Sequence, residues 1–126
     1  MTSWTASRPL RAVLIVDTAF EFLVGLLLLV FRDEFADGLD VASGAVAVAA
    51  VVFLGAGVAL LGILFRPTTG LVRLVALLNI AAGLALWLVL ALRWGSFEAD
   101  SRWFTTAVAN TFLALGALEW LGIRRA

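Results

Sequence analysis

The chain has no cysteine, histidine, lysine or tyrosine among its 126 residues. Without cysteine there is neither a disulfide nor a thiolate metal site. Without histidine, lysine and tyrosine, the usual general bases, imidazole ligands and Schiff-base chemistry are missing too. Carboxylates, hydroxyls and arginine are what remains for chemistry, which points away from an enzyme. No cofactor motif, metal-ligand set or catalytic constellation is predicted. No nucleic-acid partner is expected.

Charge is also scarce. Only 14% of residues are charged while 63% are hydrophobic, and the mean hydropathy is +1.09, well outside the range of water-soluble domains. Four apolar runs stand out, 12–31, 42–65, 71–92 and 103–123. Each is long enough to cross about 30 Å of hydrocarbon as a helix. Backbone polar groups in lipid must be satisfied within the segment, so the expected fold is all-α. We read one domain over residues 1–126: a polytopic bundle of four transmembrane helices embedded in a lipid bilayer. The first run is too long for a cleaved signal and has no small-residue cleavage site after it, so it is expected to stay as a helix.

Residues 1–7 form a short polar leader. Ser7 is placed to cap the first helix, with Pro9 where a backbone donor would be unpaired anyway. The connection Arg32-Asp33-Glu34-Phe35-Ala36-Asp37-Gly38-Leu39-Asp40 is the most acidic stretch. It reads as a loop, either solvated with Asp40 or Ser43 capping the next helix, or a carboxylate set for Ca²⁺. In the second run Gly55, Ala59 and Gly62 share one helical face, the small-residue geometry by which helices approach each other in lipid. Arg66-Pro67-Thr68-Thr69-Gly70 is a turn, and Arg93 to Trp103 is the third connection.

Basic residues flanking spans favour the cytoplasm. Arg8, Arg11, Arg66, Arg73, Arg124 and Arg125 fall on one side, against Arg32, Arg93 and Arg102 on the other, so both termini are expected to be cytoplasmic. Trp87, Trp94 and Trp103 near the outer ends, with Trp120 near the inner end, form an aromatic belt.

Inside the apolar runs lie the residues that need explaining: Asp17, Glu21, Asn79 and Glu119. Asp17 and Glu21 are one helical turn apart on one face and should point into the bundle, because carboxylates are costly against acyl chains. Two acids so close in a low dielectric are expected to share a proton. Arg11 and Arg73 are the nearest candidate counter-charges. By helical rise Asp17 lies roughly 9 Å from the cytoplasmic end, Asn79 roughly 12 Å, Glu21 roughly 15 Å and Glu119 roughly 7 Å. Those depths put no second acidic helix opposite the first. Asn79 suits interhelical hydrogen bonding. Asn110 and Glu119 lie about half a turn apart around their helix, so either one looks inward while the other meets a second protomer, or Glu119 snorkels toward the headgroups beside Arg124, the simpler expectation. The candidate polar site is therefore Asp17, Glu21, Asn79, Glu119 and Arg73.

Sliding the first run onto the third by 62 residues superposes Arg11 on Arg73, Asp17 on Asn79 and Phe35 on Phe97. That offset suggests two parallel repeats about an axis along the membrane normal. Asp17 in the first run, Asn79 after Arg73-Leu74-Val75-Ala76-Leu77-Leu78, and the ending Leu118-Glu119-Trp120-Leu121-Gly122-Ile123-Arg124-Arg125 carry a resemblance. Together the pattern resembles the small uncharacterised four-helix integral membrane proteins of high-GC bacteria, which place an acid in helix 1, an Asn in helix 3 and a Gly-x-Arg-Arg tail. Many of those carry Trp soon after the Asn, where this chain has Ile80-Ala81-Ala82-Gly83. The resemblance implies a multi-pass protein of the bacterial plasma membrane and no particular activity.

Two functions follow from this reading. One is a non-enzymatic module that forms a homo-oligomer or joins a larger membrane complex. The alternative is a small proton- or cation-coupled transporter or channel that uses the acids of helix 1 on an unknown small substrate.

Overall fold

The computed structural model describes residues 7–125; residues 1–6 of the leader, residue 126 and the side chain of Arg125 lie outside the described residues. The described residues form five α-helices and no strand: α1 (Arg8–Val30), α2 (Arg32–Leu39), α3 (Ser43–Phe65), α4 (Thr69–Arg93) and α5 (Ala99–Arg125). A single 3₁₀ turn, Trp94–Ser96, joins α4 to α5. Four of the helices are long and apolar enough to cross a membrane, with best-window mean hydropathies of 2.4, 2.7, 2.4 and 1.3 in chain order. The last value is lowest because α5 carries Asn110, Glu119, Thr106 and Thr111 within its apolar stretch.

The ends of these helices follow local rules. Ser7 Oγ accepts the Leu10 N–H at 3.4 Å and Pro9 sits in the first turn, as the spacing predicts. Thr68 Oγ1 does the same for Leu71 at 3.2 Å and starts α4. The acidic connection, expected as a loop, is instead the helix α2. Asp33 and Glu34 occupy its first turn, where the helix dipole favours negative charge, and Ala36 and Gly38 are buried beneath it. Asp40 ends α2 with φ 54°, a left-handed position that aspartate tolerates. Neither Asp40 nor Ser43 caps α3; Ala42 occupies that position, with no side-chain bond. The Gly38 carbonyl accepts the Glu98 N–H at 2.8 Å and Phe35 packs on Phe104 at 4.7 Å, which ties α2 across the start of α5.

The long helices form two antiparallel pairs. In the first, Gly25 of α1 faces Leu54 of α3 while Gly57 of α3 faces Phe22 of α1. In the second, Gly83 of α4 lies against Leu113 and Ala109 of α5, and Gly116 of α5 against Ile80 and Ala76 of α4. A Cβ on Gly116 would come 2.8 Å from the Ala76 carbonyl oxygen, so α4 and α5 approach as closely as backbones allow. The pairs meet where α1 packs along α5. By contrast α3 and α4, although joined by a short turn, hardly touch.

The small-residue face predicted for α3 takes no part in this packing. Gly55, Ala59 and Gly62 are all exposed, and nothing lies within 4 Å of a Cβ built on either glycine. Burial nevertheless follows the 62-residue offset. Val72, Ala76, Asn79, Gly83 and Leu90, the buried residues of α4, correspond one for one to Leu10, Leu14, Asp17, Glu21 and Leu28, all buried in α1. A full two-fold would also repeat the α1–α5 contact between α4 and α3, and that repetition is missing.

Candidate functional site

The polar residues sit between two apolar layers. On one side Leu10, Leu14, Leu60 and Val72 form a core; on the other are Val24, Leu28, Val46, Ala50, Val108 and Phe112. Asp17 and Glu119 are fully buried between them, and Glu21 and Asn79 are 4% and 5% exposed.

Asn79 is the centre of the arrangement. Its amide nitrogen has two hydrogens, and both are used: one is donated to Asp17 Oδ2 at 2.7 Å, the other to Glu119 Oε1 at 2.6 Å. One side chain thus joins α1, α4 and α5. Close packing on either side of the cluster makes this possible. Gly83 lies one turn beyond Asn79 and Gly116 one turn before Glu119, while Gly122, one turn after it, admits Leu10 of α1. Among the described residues Asp17 Oδ1 and Glu119 Oε2 are buried with no hydrogen-bond partner, while the other oxygen of each carboxyl meets the Asn79 amide. Thr18 adds nothing, since its hydroxyl donates to the Leu14 carbonyl at 2.8 Å. Glu21 lies buried one turn from Asp17 and, among the described residues, its side chain makes no hydrogen bond.

Several expectations change here. Arg73 does not join the site: it is exposed, with its guanidinium 5.8 Å from the Trp120 ring centre. Arg11 is exposed as well, and among the described residues no ion pair reaches Asp17, Glu21 or Glu119. Glu119 does not snorkel; it faces Asp17, so α5 is the second acidic helix that the depth estimate failed to place. The signal was present in the stripe Val108, Phe112, Leu115 and Glu119, an i, i+4, i+7, i+11 set in which the acid continues the buried face. Asn110 is on the exposed side, where its Oδ1 accepts the Trp87 indole N–H at 3.0 Å. Among the described residues no group of three or more acids is placed to hold a metal ion.

A cavity of about 250 Å³ lies toward the α2 end. Its lining begins on α1 at Val24, one turn beyond Glu21, and reaches none of the buried acids. Phe20, Phe53 and Phe112 form an aromatic layer between cavity and cluster, with ring centres 5.3 to 6.5 Å apart. No protein-family model, curated protein or solved structure matches this chain, so its function has to be argued from this geometry.

Proposed function

We propose that the chain is a multi-pass protein of the bacterial plasma membrane, with both termini cytoplasmic, that works without catalysis as an oligomerising or accessory module of a membrane assembly. The observation that carries this reading is Asn79, which uses its whole donor capacity to fasten acids from two other helices inside a sealed core. A cluster so enclosed serves to hold helices in register, since an unmet polar group has no water to turn to at this depth. The outward small-residue face of α3 then suits a second copy or a partner helix, because close backbone approach is what drives association in lipid. Cross-linking in lipid nanodiscs tests it. Gly55→Leu with Gly62→Leu should convert a cross-linked oligomer to monomer, and a parent that is monomeric in nanodiscs and captures no membrane partner sinks the proposal.

A second reading is favoured by one specific observation: among the described residues, three buried acids have no cation within ion-pair distance, and two of them have an oxygen that lacks a donor. Such a set suits a proton- or cation-coupled carrier. Proton flux in proteoliposomes separates the two. Flux that disappears in Glu21→Gln and Asp17→Asn supports transport, and no flux in the parent removes it.

A further inference from the structure

Asn110 lies well inside the α5 span on its exposed side. Its Oδ1 accepts the Trp87 indole N–H at 3.0 Å. An indole only donates, so this bond fixes the amide oxygen toward α4 and turns the two amide N–H groups away from it. Among the described residues those N–H groups meet no acceptor. The neighbouring hydroxyls differ: Thr106 and Thr111 donate to the Arg102 and Ala107 carbonyls of their own helix, each at 2.7 Å. Hydrocarbon offers no acceptor at this depth, so the Asn110 donors need one from another chain.

The surface around Asn110 suits a close neighbour. Ala107, Asn110, Ala114 and Ala117 are all exposed and share one face of α5. On α3 the exposed Gly55, Ala59 and Gly62 repeat the i, i+4, i+7 spacing of Asn110, Ala114 and Ala117. As the second and fourth spans, α3 and α5 run in the same direction. Their depths agree as well. Leu10 of α1 lies on Gly122 of α5, and roughly 18 Å along both helices toward α2 stand Phe22 and Asn110. Phe22 in turn lies on Gly57 of α3, which brings Gly55 and Asn110 within roughly 3 Å of one level. No Cβ covers the helix carbonyls beside Gly55, and each carbonyl oxygen keeps a lone pair beyond its helical bond. The Asn110 of another copy is the poorer acceptor, because Trp87 already occupies its Oδ1.

We infer that α5 of one copy packs on α3 of the next, with the Asn110 amide donating to the backbone carbonyls beside Gly55. The inference rests on the oligomeric reading and names the surface that meets the α3 face. A contact between unlike faces of identical chains repeats from copy to copy until the assembly closes.

The chain has no native cysteine, so introduced pairs report this contact without background. Two differently tagged full-length copies, Ala59→Cys and Ala114→Cys, are co-expressed and oxidised in the membrane. A mixed disulfide dimer is expected, with neither variant cross-linking to itself and none forming between Ala59→Cys and Leu88→Cys, on the exposed side of α4. Adding Asn110→Leu to the Ala114→Cys copy should lower the yield of mixed dimer about tenfold, as for loss of an interhelical hydrogen bond in lipid. Adding Ala117→Leu instead, which holds the backbones apart, should abolish it. Circular dichroism identifies a variant that has not folded, and if Asn110→Leu is one, Ala117→Leu carries the test. Undiminished cross-linking by both folded variants overturns the pairing. Self-cross-linking of Ala59→Cys or of Ala114→Cys without mixed product also overturns it, while leaving the oligomeric reading in place. A parent that is monomeric in nanodiscs removes the copy-to-copy reading and the pairing together.

Discussion

The same two helix pairs meet along two seams, and the seams differ. Between α1 and α5 the contact is closed: Leu10 sits on Gly122, Asp17 faces Glu119, and Asn79 fastens both acids. Between α3 and α4 there is a short turn, then divergence and a carbon-lined cavity. The open seam is the more apolar one. In water that would be a paradox, but lipid chains solvate valine and leucine as well as another helix does. What closes a seam in a membrane is close backbone approach plus a hydrogen bond that lipid cannot offer. At the α1–α5 seam Gly122 admits the Leu10 side chain and Asn79 supplies the bonds; the α3–α4 seam has no such pair, since the spare glycines of α3 face outward.

The largest expected effect comes from removing the bond at the centre of the closed seam. Asn79→Leu leaves Asp17 and Glu119 buried without their donor, and should lower stability by about 3 kcal/mol, read by unfolding in mixed detergent–SDS micelles. Replacing Asp17, Asn79 and Glu119 together by leucine should restore much of that loss, because no orphaned group remains. If Asn79→Leu unfolds at the parent's SDS fraction, the polar cluster is not what holds the seam.

Close approach is the next contribution. Gly116→Leu would drive a side chain into Ile80 and the Ala76 carbonyl, and should cost about 1 to 3 kcal/mol in the same assay. A neutral result would mean that α4 and α5 can separate freely. Arg73→Ala removes an exposed cation–π contact with Trp120 and should cost less than about 1 kcal/mol. A loss comparable to that of Asn79→Leu would show that Arg73 does reach the acids.

Smallest of all for monomer stability is Gly55→Leu, on the unpartnered face of α3, expected within about 0.5 kcal/mol of the parent. Strong destabilisation there would contradict the outward placement of the stripe.

Much of the scaffold is legible from hydropathy. Runs of this length leave few structural options once backbone groups must bond within their own segment, and Ser7 and Pro9 mark a helix start by local chemistry alone. The segment after α1 misleads because its acids look like a solvated loop. It folds as α2 because Phe35, Ala36 and Gly38 find burial against α5, which composition does not reveal. Arg73 misleads for a related reason. Proximity along the chain places a cation near Asn79, yet the helical rotation between positions 73 and 79 sends one outward and the other inward.

From its residues alone this chain had to be helical, had to turn Asp17 and Glu21 away from lipid, and could have no thiol or imidazole chemistry; each follows from local bonding, solvation cost or composition. Which acid meets which, and which seam stays open, were decided by tertiary structure. Apolar helices carry little information about their partners, so a few glycines and one asparagine, brought together only when the helices pack, choose the arrangement.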